Sequence, residues 1–204
     1  MMEKIIFATG NEHKMTEIRM ILKDLGAEIL SQREAGIRAD VVENGKTFEE
    51  NALIKAKAVA EAAKKMPGYE KAVVLADDSG LEIDYLNKEP GIYSARYMGE
   101  DTSYDIKNQN LIDRLDGVPD EARTARFVCA IAAAFPDGSC EVVRGTMEGI
   151  IGHQIIGENG FGYDPIFFLP EYGCTSAQLS PEKKNELSHR GEGLRKMRKI
   201  LSEH

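Results

Sequence analysis

The chain has 204 residues, contains no tryptophan and is 42% hydrophobic. This length suits one domain or two tightly joined lobes, and the apolar share is too high for a disordered chain. Lys and Arg number 26 against 34 Asp and Glu, which gives a net charge of −8. An acidic chain lacks the basic face that sequence-independent binding to nucleic acid requires. We therefore expect a single folded domain, spanning 1–204, with no nucleic-acid partner.

The cysteines and the hydropathy pattern indicate the compartment. Cys129, Cys140 and Cys174 are widely spaced and form no CxxC pair, which argues against zinc-ribbon and thioredoxin-type sites. The apolar run near the start, residues 5–8, is too short for a signal peptide. No stretch approaches the roughly 18 apolar residues of a membrane span. The sequence predicts a soluble cytoplasmic protein with reduced thiols and no membrane partner.

In the first half of the chain, strands alternate with helices. A buried strand is predicted over 5–8 and a helix over 14–25, ended by Gly26. Thr47 and Glu50 form a capping-box pattern at the start of a second helix, which Pro67-Gly68 closes. Further strands are predicted over 72–76 and 81–86, with the polar segment 77–80 between them.

The second half begins with a helix over 102–115, followed by β-like segments over 124–135 and 140–151. Pro136-Asp137-Gly138 would join these segments in a hairpin. A glycine-rich loop over 157–165 precedes a short strand over 166–169. A helix starts at Ser180-Pro181, a break is predicted over 188–191, and a basic amphipathic helix ends the chain. The predicted fold class is α/β, a mixed sheet with flanking helices.

Two polar clusters follow predicted strands. Thr9-Gly10-Asn11 with Lys14 offers backbone N–H donors and a cation, which suit a phosphate. The alternative is an ordinary helix N-terminus with a surface lysine. Asp77-Asp78 follows an apolar strand, where adjacent carboxylates repel unless a hard cation such as Mg²⁺ relieves them. One of these carboxylates could also take a proton from an attacking water. The alternative is a turn whose Asp and Ser bond to backbone amides.

Two further clusters are weaker signals. Glu43, before the second helix, could be another metal ligand or simply a solvated loop carboxylate. In the C-terminal part, the aromatic loop 161–165 could stack on a flat ring, and His189 with Arg190 could donate to a ring oxygen. The alternative here is a buried loop anchor beside a basic helix end. Together the clusters indicate a Mg²⁺-dependent nucleotide phosphohydrolase, but they identify neither the bond that is cut nor the base.

Ordered motifs along nearly the whole chain carry a family resemblance. These motifs are FATGNEHK, ENGKTFEENALIKA, LADDSGLEID, PGIYSARYMGE, GFGYDPIFF and KNELSHRG. In this order they resemble the non-standard purine nucleoside triphosphate pyrophosphatases, the inosine/xanthosine triphosphate pyrophosphatase family. The resemblance implies hydrolysis of dITP, ITP and XTP to the monophosphate and pyrophosphate. It also implies an elongated fold with two lobes around a central cleft, Mg²⁺ as cofactor and a homodimer.

The resemblance also implies roles for individual residues, and the sequence shows no departure at these positions. Asp78 would be the general base and, with Glu43, would hold Mg²⁺. Lys184 would neutralise phosphate charge, while His189 and Arg190 would recognise the purine base. The role of Asp77 stays open; it could support the metal ligands. The remaining substrate-binding residues implied are Thr9, Gly10, Asn11, Glu12, His13 and Lys14 for the phosphates, Ser79, and Phe161, Gly162, Tyr163 and Asp164 around base and sugar.

Two alternatives remain open on the sequence. A non-catalytic nucleotide-binding protein on the same scaffold would bind with Mg²⁺ but release no pyrophosphate. A related pyrophosphatase would act on modified pyrimidine or methylated nucleotides. Donors aimed at a 6-oxo group would reject adenine, because its 6-amino group leaves both donors unpaired. The rejection of GTP, which also has a 6-oxo group, is not explained by the sequence.

Overall fold

A computed structural model describes residues 3–203, except for the side chain of His13. Seven strands form one mixed sheet in the order β2-β1-β3-β4-β5-β6-β7. Among these residues, no helix is both long enough and apolar enough to cross a membrane. The strands are β1 (Lys4–Phe7), β2 (Glu28–Ser31), β3 (Val73–Ile83), β4 (Thr124–Ala134), β5 (Cys140–Ile151), β6 (Phe167–Leu169) and β7 (Cys174–Thr175). The helices are α1 (Glu12–Leu22), α2 (Phe48–Ala63), α3 (Tyr104–Arg114), α4 (Pro181–Leu187) and α5 (His189–Glu203).

The mixed α/β class is confirmed, and the chain divides into two compact units. Unit 1 contains residues up to 78, residues 129–145 and residues from 190 onward; unit 2 contains 79–128 and 146–189. In unit 1, β1 pairs in parallel with both β2 and β3. Its core lies between this sheet and two helices, with Ile18 of α1 and Leu194 of α5 fully buried.

Unit 2 has its own hydrophobic core. β6 pairs antiparallel with β5 and with β7. Leu111 of α3, Phe167 of β6 and Ile166 are fully buried in this core. The loop 157–165 therefore leads into a strand that is paired on both edges, so the C-terminal end of the loop is fixed.

Local capping explains why two helices begin where the sequence predicts. Thr47 Oγ1 accepts a hydrogen bond from the N–H of Glu50, and α2 starts at the next residue, Phe48. The reciprocal bond of the capping box is displaced, because the Glu50 carboxylate accepts from the N–H of Lys46. Ser180 caps α4 in the same way through the N–H of Lys183, with Pro181 at the first helical position.

Two predictions about the elements need correction, and two strands were missed. Residues 77–80 do not divide two strands but lie inside the continuous strand β3, which places the side chains of Asp77 and Asp78 on opposite faces of the sheet. The break predicted over 188–191 is confined to Ser188, which is extended, and α5 begins at His189. The strands β2 and β7 were not predicted, since each is too short to show a periodic pattern.

Candidate active site

The turn after β1 is built around the start of α1. Thr9 Oγ1 accepts a hydrogen bond from the N–H of Asn11 at 3.1 Å. Asn11 Oδ1 accepts from the N–H of Lys14 at 3.3 Å, and α1 begins directly after Asn11. A Cβ atom on Gly10 would meet nothing within 4 Å, so the backbone there is open to an approaching ligand. The N–H groups at a helix N-terminus can bind an anion, which is the role predicted for this turn, although the exposed, acidic Glu12 lies in the first turn of α1.

Asp77 is the buried anchor of several cations in unit 1. Its carboxylate, 1% exposed, accepts from Lys14 Nζ at 2.9 and 3.1 Å. Arg190 Nη2 lies 3.5 Å from the same carboxylate, and Arg190 Nη1 donates to Glu17 at 2.5 Å. Burial opposes ionisation of Asp77, but Lys14, Arg190 and Lys55 outweigh it and hold the pKa well below its usual range. Asp77 therefore stays an anion and fixes Lys14 beside the turn.

Asp78 has the opposite environment although it is the next residue. Burial raises the pKa of Asp78 to about 6, and the negative charges of Glu43 and Asp77 act in the same direction. Lys55 and a hydrogen bond from Asn51 oppose this rise without cancelling it. Two neighbouring carboxylates with pKa values pushed apart are a pattern found where one group must exchange protons near neutral pH.

Lys55 and Asn51 of α2 complete this cluster, and sequence analysis missed both. Lys55 Nζ lies 3.0 Å from Glu43 Oε1 and donates to the Asp77 carbonyl at 3.1 Å. Asn51 Nδ2 donates to Asp78 Oδ2 at 3.1 Å. The two residues are four positions apart and so share one face of the helix. Polar residues at this spacing beside the apolar stripe of α2 are the signal that could have revealed them.

The carboxylates of Glu43 and Asp78 are too few to bind a divalent cation by themselves, so further ligands must come from elsewhere. Among residues 3–203, no group of three or more His, Cys, Asp or Glu side chains could hold a metal ion. Mg²⁺, however, is commonly bound by one or two carboxylates together with substrate phosphates and water. The pair therefore fits a Mg²⁺ ion that arrives with a triphosphate, and does not form a complete protein cage.

The glycine-rich loop of unit 2 is organised by Asp164. Its Oδ2 accepts from Lys184 Nζ at 2.6 Å and from the N–H of Phe161 at 2.8 Å, and its Oδ1 accepts from Ser176 Oγ. A Cβ atom on Gly160 would lie 2.2 Å from Asp164 Oδ2, and Gly160 also has a positive φ of 78°. Only glycine fits at this position, because any side chain would displace the ion pair.

The aromatic residues of this loop have different surroundings. Phe161 is half-buried, with Lys184 Nζ 5.1 Å from its ring centroid. Tyr163 is buried, donates its hydroxyl to the Ser94 carbonyl at 2.6 Å and packs edge-on against Tyr104. Tyr163 therefore serves as an anchor of the loop, while Phe161 and the adjacent Gly162 are the residues exposed enough to meet a ligand.

The remaining predicted residues lie in different units. His189, in unit 2, is 7% exposed and stacks on Phe127 with ring centroids 4.9 Å apart. Arg190, the next residue, belongs to unit 1 and to the Asp77 cluster described above. Ser79 follows Asp78 in β3 and is partly exposed. The side chain of His13 lies outside the part of the chain that the structure describes.

Comparisons with known proteins identify the family of this chain. The model of the Ham1 family matches residues 5–200. The chain belongs to the Ham1 family. Among curated relatives, the dITP/XTP pyrophosphatase of Clostridium perfringens is 47% identical over 200 residues and that of Bacillus subtilis is 44% identical, each alignment covering 98% of both chains. Among solved Ham1 structures, that of the Coxiella burnetii protein has a TM-score of 0.86 at 38% identity, with both chains fully covered. The expected resemblance and the mixed α/β fold are thereby confirmed.

Proposed function

We propose that this protein hydrolyses dITP, ITP and XTP to the nucleoside monophosphate and pyrophosphate. Full-length similarity to relatives named dITP/XTP pyrophosphatase supports the substrate class. The observation that carries the chemistry is the contrast between Asp77 and Asp78. The first is held ionised by cations, while the second has a pKa of about 6 and can accept a proton near neutral pH.

In the proposed reaction, Asp78 accepts a proton from a water molecule. The water oxygen bonds to the α-phosphorus, and the bond from that phosphorus to the oxygen bridging to the β-phosphorus breaks. Pyrophosphate leaves with that bridging oxygen and its electron pair. Lys14 and Lys55, which are ion-paired with Asp77 and Glu43, would stabilise the charge that develops on the phosphates. Mg²⁺, held by Glu43 and Asp78 together with the triphosphate, would supply further charge neutralisation.

The residues of unit 2 are proposed to bind the nucleoside. Phe161 offers an aromatic face, and Lys184 fixes the loop through its ion pair with Asp164. His189 and Arg190 are proposed to donate to the 6-oxo group of hypoxanthine or xanthine, which adenine lacks. The guanidinium of Arg190 carries five N–H donors, of which Nη1 donates to Glu17, while Nη2 forms an ion pair with Asp77.

A substrate panel tests this proposal. Pyrophosphate release is measured from dITP, ITP, XTP, dATP, dGTP, dUTP and 5-methyl-UTP, with Mg²⁺ and with a chelator. We expect Mg²⁺-dependent release from the first three. Tight Mg²⁺-dependent binding of dITP without pyrophosphate release would favour a non-catalytic nucleotide-binding protein. Release from dUTP or 5-methyl-UTP alone would favour a pyrimidine-directed enzyme. Either outcome would contradict the proposal.

A further inference from the structure

Asn51 is a polar residue at a buried position, where its amide group must be hydrogen-bonded to avoid destabilising the fold. It lies in the first turn of α2 and is 1% exposed. A buried amide costs free energy unless both its donor and its acceptor are satisfied. Both ends of the Asn51 amide are engaged, with Gly45 at one end and Asp78 at the other. Such a residue is expected where its bonds position other groups.

The two bonds also fix which way round the amide stands. Asn51 Oδ1 accepts from the N–H of Gly45 at 2.8 Å, while Nδ2 donates to Asp78 Oδ2 at 3.1 Å. The reversed amide would set a donor against the Gly45 N–H and an acceptor against the carboxylate. Since the reversed orientation is doubly repulsive, the donor faces Asp78 permanently.

The loop that carries Glu43 is fastened to the same amide. Gly45 lies so close that a Cβ atom there would be 2.7 Å from Asn51 Oδ1 and 2.7 Å from the Glu50 Cβ. Glu43 is only two residues before Gly45, and its carboxylate is held at 3.0 Å by Lys55, one turn further along α2. One face of α2 therefore sets both carboxylates in place.

We propose that Asn51 is the positioning residue that holds Glu43 and Asp78 so that both can bind one divalent cation. Gly45 contributes by letting the loop that carries Glu43 approach the Asn51 amide closely enough to donate a hydrogen bond to it. This inference rests on the proposed function for its link to catalysis, but not for its link to metal binding. Groups that orient metal ligands commonly change metal affinity or activity by about 10–100-fold when they are removed.

The test uses the full-length protein and Mn²⁺ as the probe, read by electron paramagnetic resonance without nucleotide and with a non-hydrolysable dITP analogue. Asn51→Leu keeps the branching at Cγ, with larger methyl groups in place of the amide O and NH2, and removes both bonds. We expect its Mn²⁺ dissociation constant with the analogue to rise about tenfold or more. We also expect kcat with dITP to fall by a similar factor. KM should change by less than about threefold, because Lys14 and Lys55, the cations proposed to stabilise the phosphates, are left in place.

Two further variants keep the test decisive. Gly45→Ala presses on the amide from the other side and leaves Asn51 and Asp78 intact, so it should weaken Mn²⁺ binding in the same direction. Asn108→Leu is the matched control, because Asn108 is equally buried and donates to the backbone carbonyl of Gly162, in the loop proposed to bind the nucleoside; its Mn²⁺ affinity without nucleotide should equal that of the wild type.

Unchanged Mn²⁺ affinity in folded Asn51→Leu would overturn the inference. If Asn51→Leu does not fold, unchanged affinity in Gly45→Ala would overturn it instead. Equal loss of affinity in Asn108→Leu would also overturn it, since the effect would then be general loosening. A wild-type protein that binds Mn²⁺ but releases no pyrophosphate from dITP would refute the proposed function alone, and the Mn²⁺ comparison would still decide the role of Asn51.

Discussion

Replacing Asp78 by Asn should stabilise the protein while it abolishes most activity. The variant removes the general base, and general acid–base help is worth about 10²–10⁴-fold in turnover. Its amide can still accept the hydrogen bond from Asn51, so the fold is preserved. A neutral side chain also avoids the free-energy cost of burying a charge, which is what raises the pKa of Asp78 from 3.8 to about 6.

The size of the stability effect follows from that pKa. A raised carboxyl pKa means that the folded state prefers the protonated acid. Above the folded value of about 6, both states are ionised and the folded wild type carries the full penalty. At 1.36 kcal/mol per pKa unit, the shift corresponds to about 3 kcal/mol in the metal-free protein. The penalty fades as the pH falls through about 6 and is absent below 3.8, the ordinary Asp value.

The assay combines turnover and stability. Pyrophosphate release from dITP is measured with saturating Mg²⁺, and urea unfolding is measured with a chelator over a range of pH. Asp84→Asn is the matched control, since Asp84 accepts bonds from Arg126 and Thr124 in unit 2 and its loss should lower stability. Near-normal turnover of Asp78→Asn, or a variant less stable than the wild type above the Asp78 pKa, would refute the reasoning.

Three further predictions concern the phosphate turn, the glycine-rich loop and pH. Lys14→Met should raise KM for dITP about tenfold or more in steady-state kinetics, because a charge-assisted phosphate contact is lost; an unchanged KM would remove Lys14 from the site. Gly160→Ala should destabilise by about 1–3 kcal/mol in urea unfolding and lower kcat/KM, since its Cβ would meet Asp164; wild-type stability would contradict the packing. In chelator, the carboxyl of Asp78 should titrate near pH 6 and that of Asp77 well below it, as followed by carbon NMR; a shared titration would contradict their separation.

The sequence predicted local features better than tertiary ones. The start of α2 was predictable because Thr47 caps it through a bond three residues away. The course of β3 through residues 77–80 was not, because Asp, Ser and Gly favour turns and because the strands that flank β3 in the sheet, β1 and β4, are distant from it in the sequence. Asp78 could be singled out as an acid after an apolar run, whereas its difference from Asp77 depends on which cations the fold brings to each.

The partners of the predicted residues were the least predictable part of the site. Lys55 and Asn51 gain their roles only when α2 packs beside the end of β3. Arg190 was assigned to the purine, and the structure adds that its guanidinium also contacts Glu17 and Asp77. Its contact with the base remains a prediction, as do the homodimer and the requirement for Mg²⁺.

The most direct test of the proposed chemistry is to determine which phosphorus atom the water attacks. Hydrolysis of dITP is run in water enriched in a heavy oxygen isotope, and both products are analysed by mass spectrometry. Attack at the α-phosphorus places the heavy oxygen in dIMP and leaves pyrophosphate unlabelled. Heavy oxygen in pyrophosphate, or release of orthophosphate instead, would contradict the account.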